Sequence, residues 1–396
     1  MTADPGEAQI DGTLTSTWIQ HDFDVPMNTS NVYGVHLGID SLTAGRHQLQ
    51  TRGVTNDLFG GNGYLGAHRV ARYEPANAQT TFRALFLSQD GNPQLDVIDC
   101  QVYDISTQIS QPKAIILQFG QSNRVGAFGV TGYDAELDKP EFRALAVPTI
   151  EQTSVGAETD NTGATYSLAS TCGVGVAMPM TTPLPSATPA QINAGDPPST
   201  TPYSAEARYL CDNWPAAYDG YTPTFLLSAA TATSLFSQSG WDPTTSPQGG
   251  YLRLMKANID ALLAEDPDNF IAGAVWQQGE ADQSNHASYN AQFTTMIEEL
   301  RTAYGEFPLV IAEIGGKTSI GGIANMIAAQ QKLDSNSGDA DALPLCTYVP
   351  RPAGDPGQDG EDLLEDEGGN WIHFRADTNR QIGLSVAQAL VALMTA

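Results

Sequence analysis

The chain has 396 residues, 41% of them hydrophobic, enough to bury a full core and to fill two domains or more. Its 18 lysines and arginines stand against 45 acidic residues, a net charge of −27. That balance excludes the basic footprint of a nucleic-acid binder and opposes adsorption to anionic membranes; we read it as a solubility adaptation of the kind suited to saline surroundings.

In chain order, the start from Met1 to Glu7 shows neither the basic residues nor the apolar run of a Sec signal. No stretch is long and apolar enough to span a bilayer. Through residue 110, short runs such as Asn31 to Leu37, Thr80 to Leu87 and Gln94 to Ile98 are separated by Gly/Asn/Asp turns. That rhythm predicts an antiparallel β-sandwich over residues 1–110, an accessory domain for carbohydrate binding or attachment. Gly61 to Gly66 matches the dinucleotide pattern but opens no helix, and we read it as a loop. Gln108 to Pro112 reads as a linker.

From Lys113 onward, strands alternate with helices. Strands are expected at 113–119, 224–230, 270–276, 308–314 and 346–349. Helices are expected at Tyr251–Glu265, Tyr289–Tyr304, Ile320–Leu333 and Thr378–Met394. Such alternation predicts an α/β domain with a parallel sheet covered on both faces. Residues from about 130 to 222 are rich in Thr, Pro, Ser and Gly and read as long loops over the sheet. The four cysteines (Cys100, Cys172, Cys211, Cys346) are scattered with no zinc spacing; Cys172 and Cys211 form a bridge or remain buried thiols. The acidic run Asp359 to Glu367 lacks EF-hand spacing and reads as a solvated loop.

Gly120-Gln121-Ser122-Asn123 directly follows the apolar run Ala114 to Phe119. A serine on a glycine turn at the carboxyl end of a buried parallel strand is where an open α/β sheet places a nucleophile. The G-x-S-x-G elbow is absent, because Arg124 stands where its second glycine would be. Gln277-Gln278-Gly279-Glu280 follows the strand Phe270 to Val275, where a side-chain amide can donate to a developing oxyanion. His373, between Trp371-Ile372 and Phe374, is the histidine that combines an apolar setting with a strand-end position. Each motif has a plainer reading: a capping serine, a polar edge loop, a structural histidine.

Together, Gly120-Gln121-Ser122-Asn123, Trp276 to Asp282 and Ile372-His373-Phe374 resemble the SGNH hydrolase superfamily. More narrowly they are similar to the sialate O-acetylesterases and carbohydrate esterase family 6 acetylesterases, over about residues 113–396. The resemblance implies a three-layer α/β/α esterase domain over residues 111–396. It makes Ser122 the nucleophile and His373 the general base. It draws the oxyanion hole from the Ser122 amide, the Gly175 amide (Gly173 is the rival) and the side chain of Gln278. Gln121, Asn123, Gln277 and Trp371 are expected to bind substrate.

Two departures shape the expectation. Asn370 stands where the superfamily usually carries an aspartate three residues before the histidine. An amide can hold the imidazole tautomer but cannot stabilise imidazolium as a carboxylate does. The family 6 enzymes are understood to use the glutamate of the Gln-Gly-Glu block, which points to Glu280, with Asp377, Asp366 and Glu367 as fallbacks. Gln277 replaces the histidine that often opens that block. The implied activity is a serine esterase that removes acetyl groups from O-acetylated carbohydrate, with no metal or organic cofactor and with neither nucleic acid nor membrane as partner. An extracellular or particle surface is the expected setting, with assembly into a larger structure and the cytoplasm as the alternative location. A competing reading keeps the scaffold as a non-catalytic carbohydrate-binding or adhesion protein; a lipase or thioesterase fits the Gln-Gly-Glu block less well.

Overall fold

The computed structural model describes residues 18–42, 46–51, 57–62, 67–73, 79–87, 95–125, 137, 141–148, 178–180, 202–229, 233–319, 321–354, 359–365 and 371–396. The amino-terminal strands are β1 (Trp18–Pro26), β2 (Tyr33–Leu42), β3 (Arg46–Thr51), β4 (Asp57–Asn62), β5 (Ala67–Tyr73), β6 (Gln79–Leu87) and β7 (Leu95–Asp104). They form two antiparallel sheets, ordered β1-β6-β3-β4 and β5-β2-β7. That the two sheets stack as one sandwich stays a proposal. Gly61 and Asn62 belong to β4 rather than to a loop. The expected linker at 108–112 is partly a short helix, Ser106–Ser110, whose preceding residue Ile105 is buried.

The remaining strands are β8 (Lys113–Gly120), β9 (Glu141–Pro148), β10 (Met178–Met180), β11 (Thr222–Leu227), β12 (Phe270–Gln277), β13 (Leu309–Ala312) and β14 (Cys346–Val349). They make one sheet ordered β10-β9-β11-β8-β12-β13-β14. All neighbours are parallel except β10, which runs antiparallel to β9 at the edge. The period-2 alternation of a strand distributes its side chains to both faces. Ile115, Leu117 and Phe119 of β8 pack with the helices Gly250–Glu265, His286–Tyr304 and Ile323–Gln331. Ile116 packs on the other side with the helices Tyr203–Asp212 and Ala376–Met394. This is a three-layer α/β/α arrangement, as the alternation predicts. Among the described residues, no helix is long and apolar enough to cross a membrane.

The region from about 130 to 222 is not only loops: it supplies β9, β10 and the Tyr203–Asp212 helix. That helix buries Tyr203, Glu206, Ala207 and Leu210, a spacing of i, i+3, i+4, i+7. A glutamate in the apolar stripe hides the helical pattern from a reading based on hydrophobicity. Cys211 and Cys346 are free thiols, each pushed up to about 12 by burial, and Cys172 lies outside the described residues.

Candidate active site

Because its strands are parallel, the sheet gathers their carboxyl ends on one rim. In register, Gly120 at the end of β8 lies opposite Gln277 at the end of β12. The two backbones approach so closely that a Cβ on Gly120 would sit 2.1 Å from Gln277 O, and Gly120 has φ +136°. Only glycine satisfies both conditions. The turn is tied on two sides: Gln121 N–H donates to Gln277 O (2.9 Å), and Thr233 Oγ1 donates to Gly120 O (3.1 Å). Ser122 then opens the short helix Ser122–Val125 and is 4% exposed.

Below this turn lies a fully buried polar group. Arg124 pairs with Glu206 and donates to Gln118 Oε1, while Gln118 Nε2 donates to Glu206 Oε1 at 2.5 Å. The guanidinium carbon lies 4.9 Å from the centre of the Tyr203 ring. Burial pushes the Glu206 carboxyl above the usual carboxylate range, against the opposing pull of Arg124. The residue that breaks the G-x-S-x-G pattern thus anchors the serine turn to the next layer.

Asn123 sits at the centre of the rim. Its side-chain Nδ2 donates to Glu280 Oε1 (2.5 Å) and to Ile372 O (3.1 Å), and its Oδ1 accepts from Phe374 N–H (3.0 Å). One amide beside Ser122 therefore holds the carboxylate and the backbone on both sides of His373. Glu280 Oε1 also accepts from Gly315 N–H (2.9 Å), just beyond β13. Its Oε2 has no hydrogen-bond partner among the described residues. Burial pushes the Glu280 carboxyl up; the Asn123 amide, the backbone N–H groups of Glu280 itself and of Gly315, and the nearby His373 imidazole act in the opposite direction.

The His373 segment is clasped from outside. Glu365 N–H donates to His373 O (2.8 Å) and Arg375 N–H to Leu363 O (3.1 Å), an antiparallel bridge centred on Leu364 and Phe374. Lys317 pairs with Glu361, and its Nζ lies 4.6 Å from the centre of the half-buried Trp371 ring. Asp359 accepts from Thr318 Oγ1 and from the Ser319 hydroxyl and N–H, which bring its carboxyl down to about 2. The described part of the acidic run is therefore a clasp with Leu363 and Leu364 in the core, not simply a solvated loop.

Several expected substrate contacts instead point inward. Asn123 and Gln277 are fully buried; Gln277 Nε2 donates to Glu313 O at 2.9 Å. Gln121 is 3% exposed, and its Oε1 accepts from Gly279 N–H (3.4 Å) and Ala281 N–H (3.2 Å). Gln278 directs its amide protons to Thr233 O (3.0 Å) and Asp282 Oδ2 (2.5 Å), so in this conformation it has no proton for an oxyanion. Its Oε1 accepts from Tyr289 Oη at 3.0 Å. Asp377 is turned to Arg375 at 3.3 Å. Gly175, Gly173, Asn370, Asp366 and Glu367 lie outside the described residues. Sequence reasoning missed Gly315 and the inward role of Asn123. The pair of glycines after β13 was the available signal for the first; nothing local marked the second.

The chain from Tyr221 to Ala392 coincides with a known family. Residues 221–392 match the family model described as carbohydrate esterase, sialic acid-specific acetylesterase. That span is similar to the carbohydrate acetylesterases. The matched span includes Glu280 and His373, while Ser122 lies upstream of it. A search of curated proteins finds no significant sequence match. Among solved structures, the chain is similar to NanS, at 16% identity and TM-score 0.48 over 71% of this chain and 97% of that one. A carbohydrate acetylesterase from Xanthomonas citri aligns at 15% identity and TM-score 0.41 over 93% and 70%. A family 2 carbohydrate esterase with a carbohydrate-binding domain, from Corynascus thermopiles (Myceliophthora fergusii), aligns at 14% identity and TM-score 0.41 over 96% and 94%.

Proposed function

We propose that the protein is a serine esterase that hydrolyses O-acetyl esters on carbohydrate, with Ser122 as nucleophile, His373 as general base and Glu280 as the acid behind it. The observation that carries this reading is the Asn123 amide, which ties Glu280 and the two flanks of His373 to the residue next to Ser122. Ser122 Oγ attacks the acetyl carbonyl carbon while His373 takes its proton. The buried Glu280 carboxylate stabilises the imidazolium. The first N–H groups of a helix have no intrahelical acceptor, so the Ser122 amide serves the tetrahedral oxyanion. A second donor is the amide of Gly175, as the resemblance implies, rather than the side chain of Gln278. Collapse releases the sugar hydroxyl with the proton from His373. A water activated by the same imidazole then frees acetate. Trp371 is the expected wall for the sugar.

Acetate release from acetylated xylan, O-acetylated sialic acid and a nitrophenyl acetate tests the reading. Ser122→Ala should lower kcat by at least about 10⁴-fold, and Glu280→Gln by on the order of 10³- to 10⁴-fold. Wild-type protein inactive on all three substrates, or Ser122→Ala with undiminished turnover, would overturn it.

A further inference from the structure

Asn123 is fully buried, and its side-chain hydrogen bonds lie within the site's own framework, which leaves it no face for substrate. The geometry points to Asn123 as the positioning residue of the triad: one amide that fixes acid and base to the nucleophile turn and directs which oxygen of Glu280 serves His373. This rests on the Ser122–His373–Glu280 reading above. The two oxygens of Glu280 differ. Oε1 is taken by the Asn123 amide and by Gly315 N–H, whereas Oε2 is buried and has no partner among the described residues. A buried carboxylate oxygen left in this way is costly unless a donor reaches it during the reaction. The imidazolium formed when Ser122 gives up its proton is such a donor, and catalytic hydrogen bonds of this kind often tighten only in the reacting complex.

Asn123 Nδ2 holds Ile372 O and its Oδ1 holds Phe374 N–H, so His373 is fixed by its neighbours without any bond to its own ring from Asn123. Gly315 permits this crossing, because a Cβ there would lie 1.9 Å from Ile372 O and 2.5 Å from Asn123 Nδ2. The titratable groups acting with Glu280 are His373 and Tyr289, and Asp282 lies on its own segment. Donation from Asn123 favours the ionised form of Glu280, as does donation from Gly315. Removing Asn123 therefore makes the Glu280–His373 pair hold its proton to higher pH. The acid limb of kcat, which belongs to the pair rather than to either residue, moves upward.

The test is the pH profile of kcat and KM for nitrophenyl acetate in the full chain, for wild type, Ser122→Ala, Asn123→Ala and Asn123→Asp. Asn123→Asp keeps the volume and the acceptor for Phe374 N–H, and carries the test if the alanine variant does not fold. The expected result is a fall in kcat of about 100-fold, the cost of a small misplacement of reacting groups, with KM nearly unchanged and the acid limb displaced to higher pH. A fall in kcat with an unmoved acid limb, or a raised KM with kcat retained, overturns the role. The underlying reading fails separately, if Ser122→Ala remains active.

Discussion

A methyl group at residue 315 would meet Ile372 O, at 1.9 Å, before any solvent. Gly→Ala at an unstrained site usually stabilises a chain by about 0.4–1 kcal/mol through the unfolded state, so the sign of the effect is diagnostic. Gly315→Ala should lower Tm and reduce kcat by about 100-fold, read by calorimetry and by aryl acetate turnover. Gly120→Ala should be worse still, because its φ of +136° adds backbone strain to a 2.1 Å approach to Gln277 O. Two glycines thus set the spacing of the three strand ends that form the site. The sequence indicated Gly120 through the strand before it and the serine after it. It could not indicate the direction of Asn123, since that depends on contacts 157, 249 and 251 residues away.

At the scale of elements, the Tyr203–Asp212 helix supports the serine turn through one ion pair. Arg124 and Glu206 are both fully buried, so removing either partner strands a charge. Arg124→Met or Glu206→Gln should each cost about 3–5 kcal/mol in denaturant unfolding, and the double replacement by apolar residues should recover much of it. The Asp359 end of the clasp between residues 317–319 and 359–365 behaves differently, because its hydrogen bonds are exposed. The Asp359 carboxyl is depressed to about 2 by its Ser319 and Thr318 donors. A depressed carboxylate contributes stability above its unfolded pKa of about 3.9 and loses it as pH falls through the folded value. Tm measured between about pH 4 and pH 2 should therefore drop less steeply in Asp359→Asn than in the wild type. Strands β8, β11, β12, β13 and β14 lie close to where hydrophobic runs place them. β9 escaped because Glu141 and Arg143 interrupt its run, and the helix after it because Glu206 occupies a core position. In each case a buried or paired charge concealed an element that packing requires.

Across the whole molecule, a net charge of −27 loads the surface with like charge. Self-repulsion of that kind is screened by salt, with a Debye length of about 10 Å at 0.1 M. Raising NaCl from about 0.01 M to about 1 M should increase Tm. A flat or falling curve would show that the acidic residues are offset by local pairing. The alternation of strands and helices after residue 113 made the three-layer class legible, because period-2 and period-3.6 patterns report burial directly. The amino-terminal strands were legible as antiparallel pairs from their turn rhythm, while their sheet order was not, since pairing between β1 and β6 crosses the whole region.

The placement of Asn123 beside Ser122 has a mechanical consequence. Thermal tilting of the serine turn carries with it the carboxylate of Glu280 and the chain on either side of His373, because all are fastened to the neighbouring amide. Such fluctuations are shared by the fastened groups and largely cancel in the separations between them. On the proposed esterase reading, the rim would adjust to sugars of different bulk while the spacing of Ser122, Glu280 and the His373 backbone is kept.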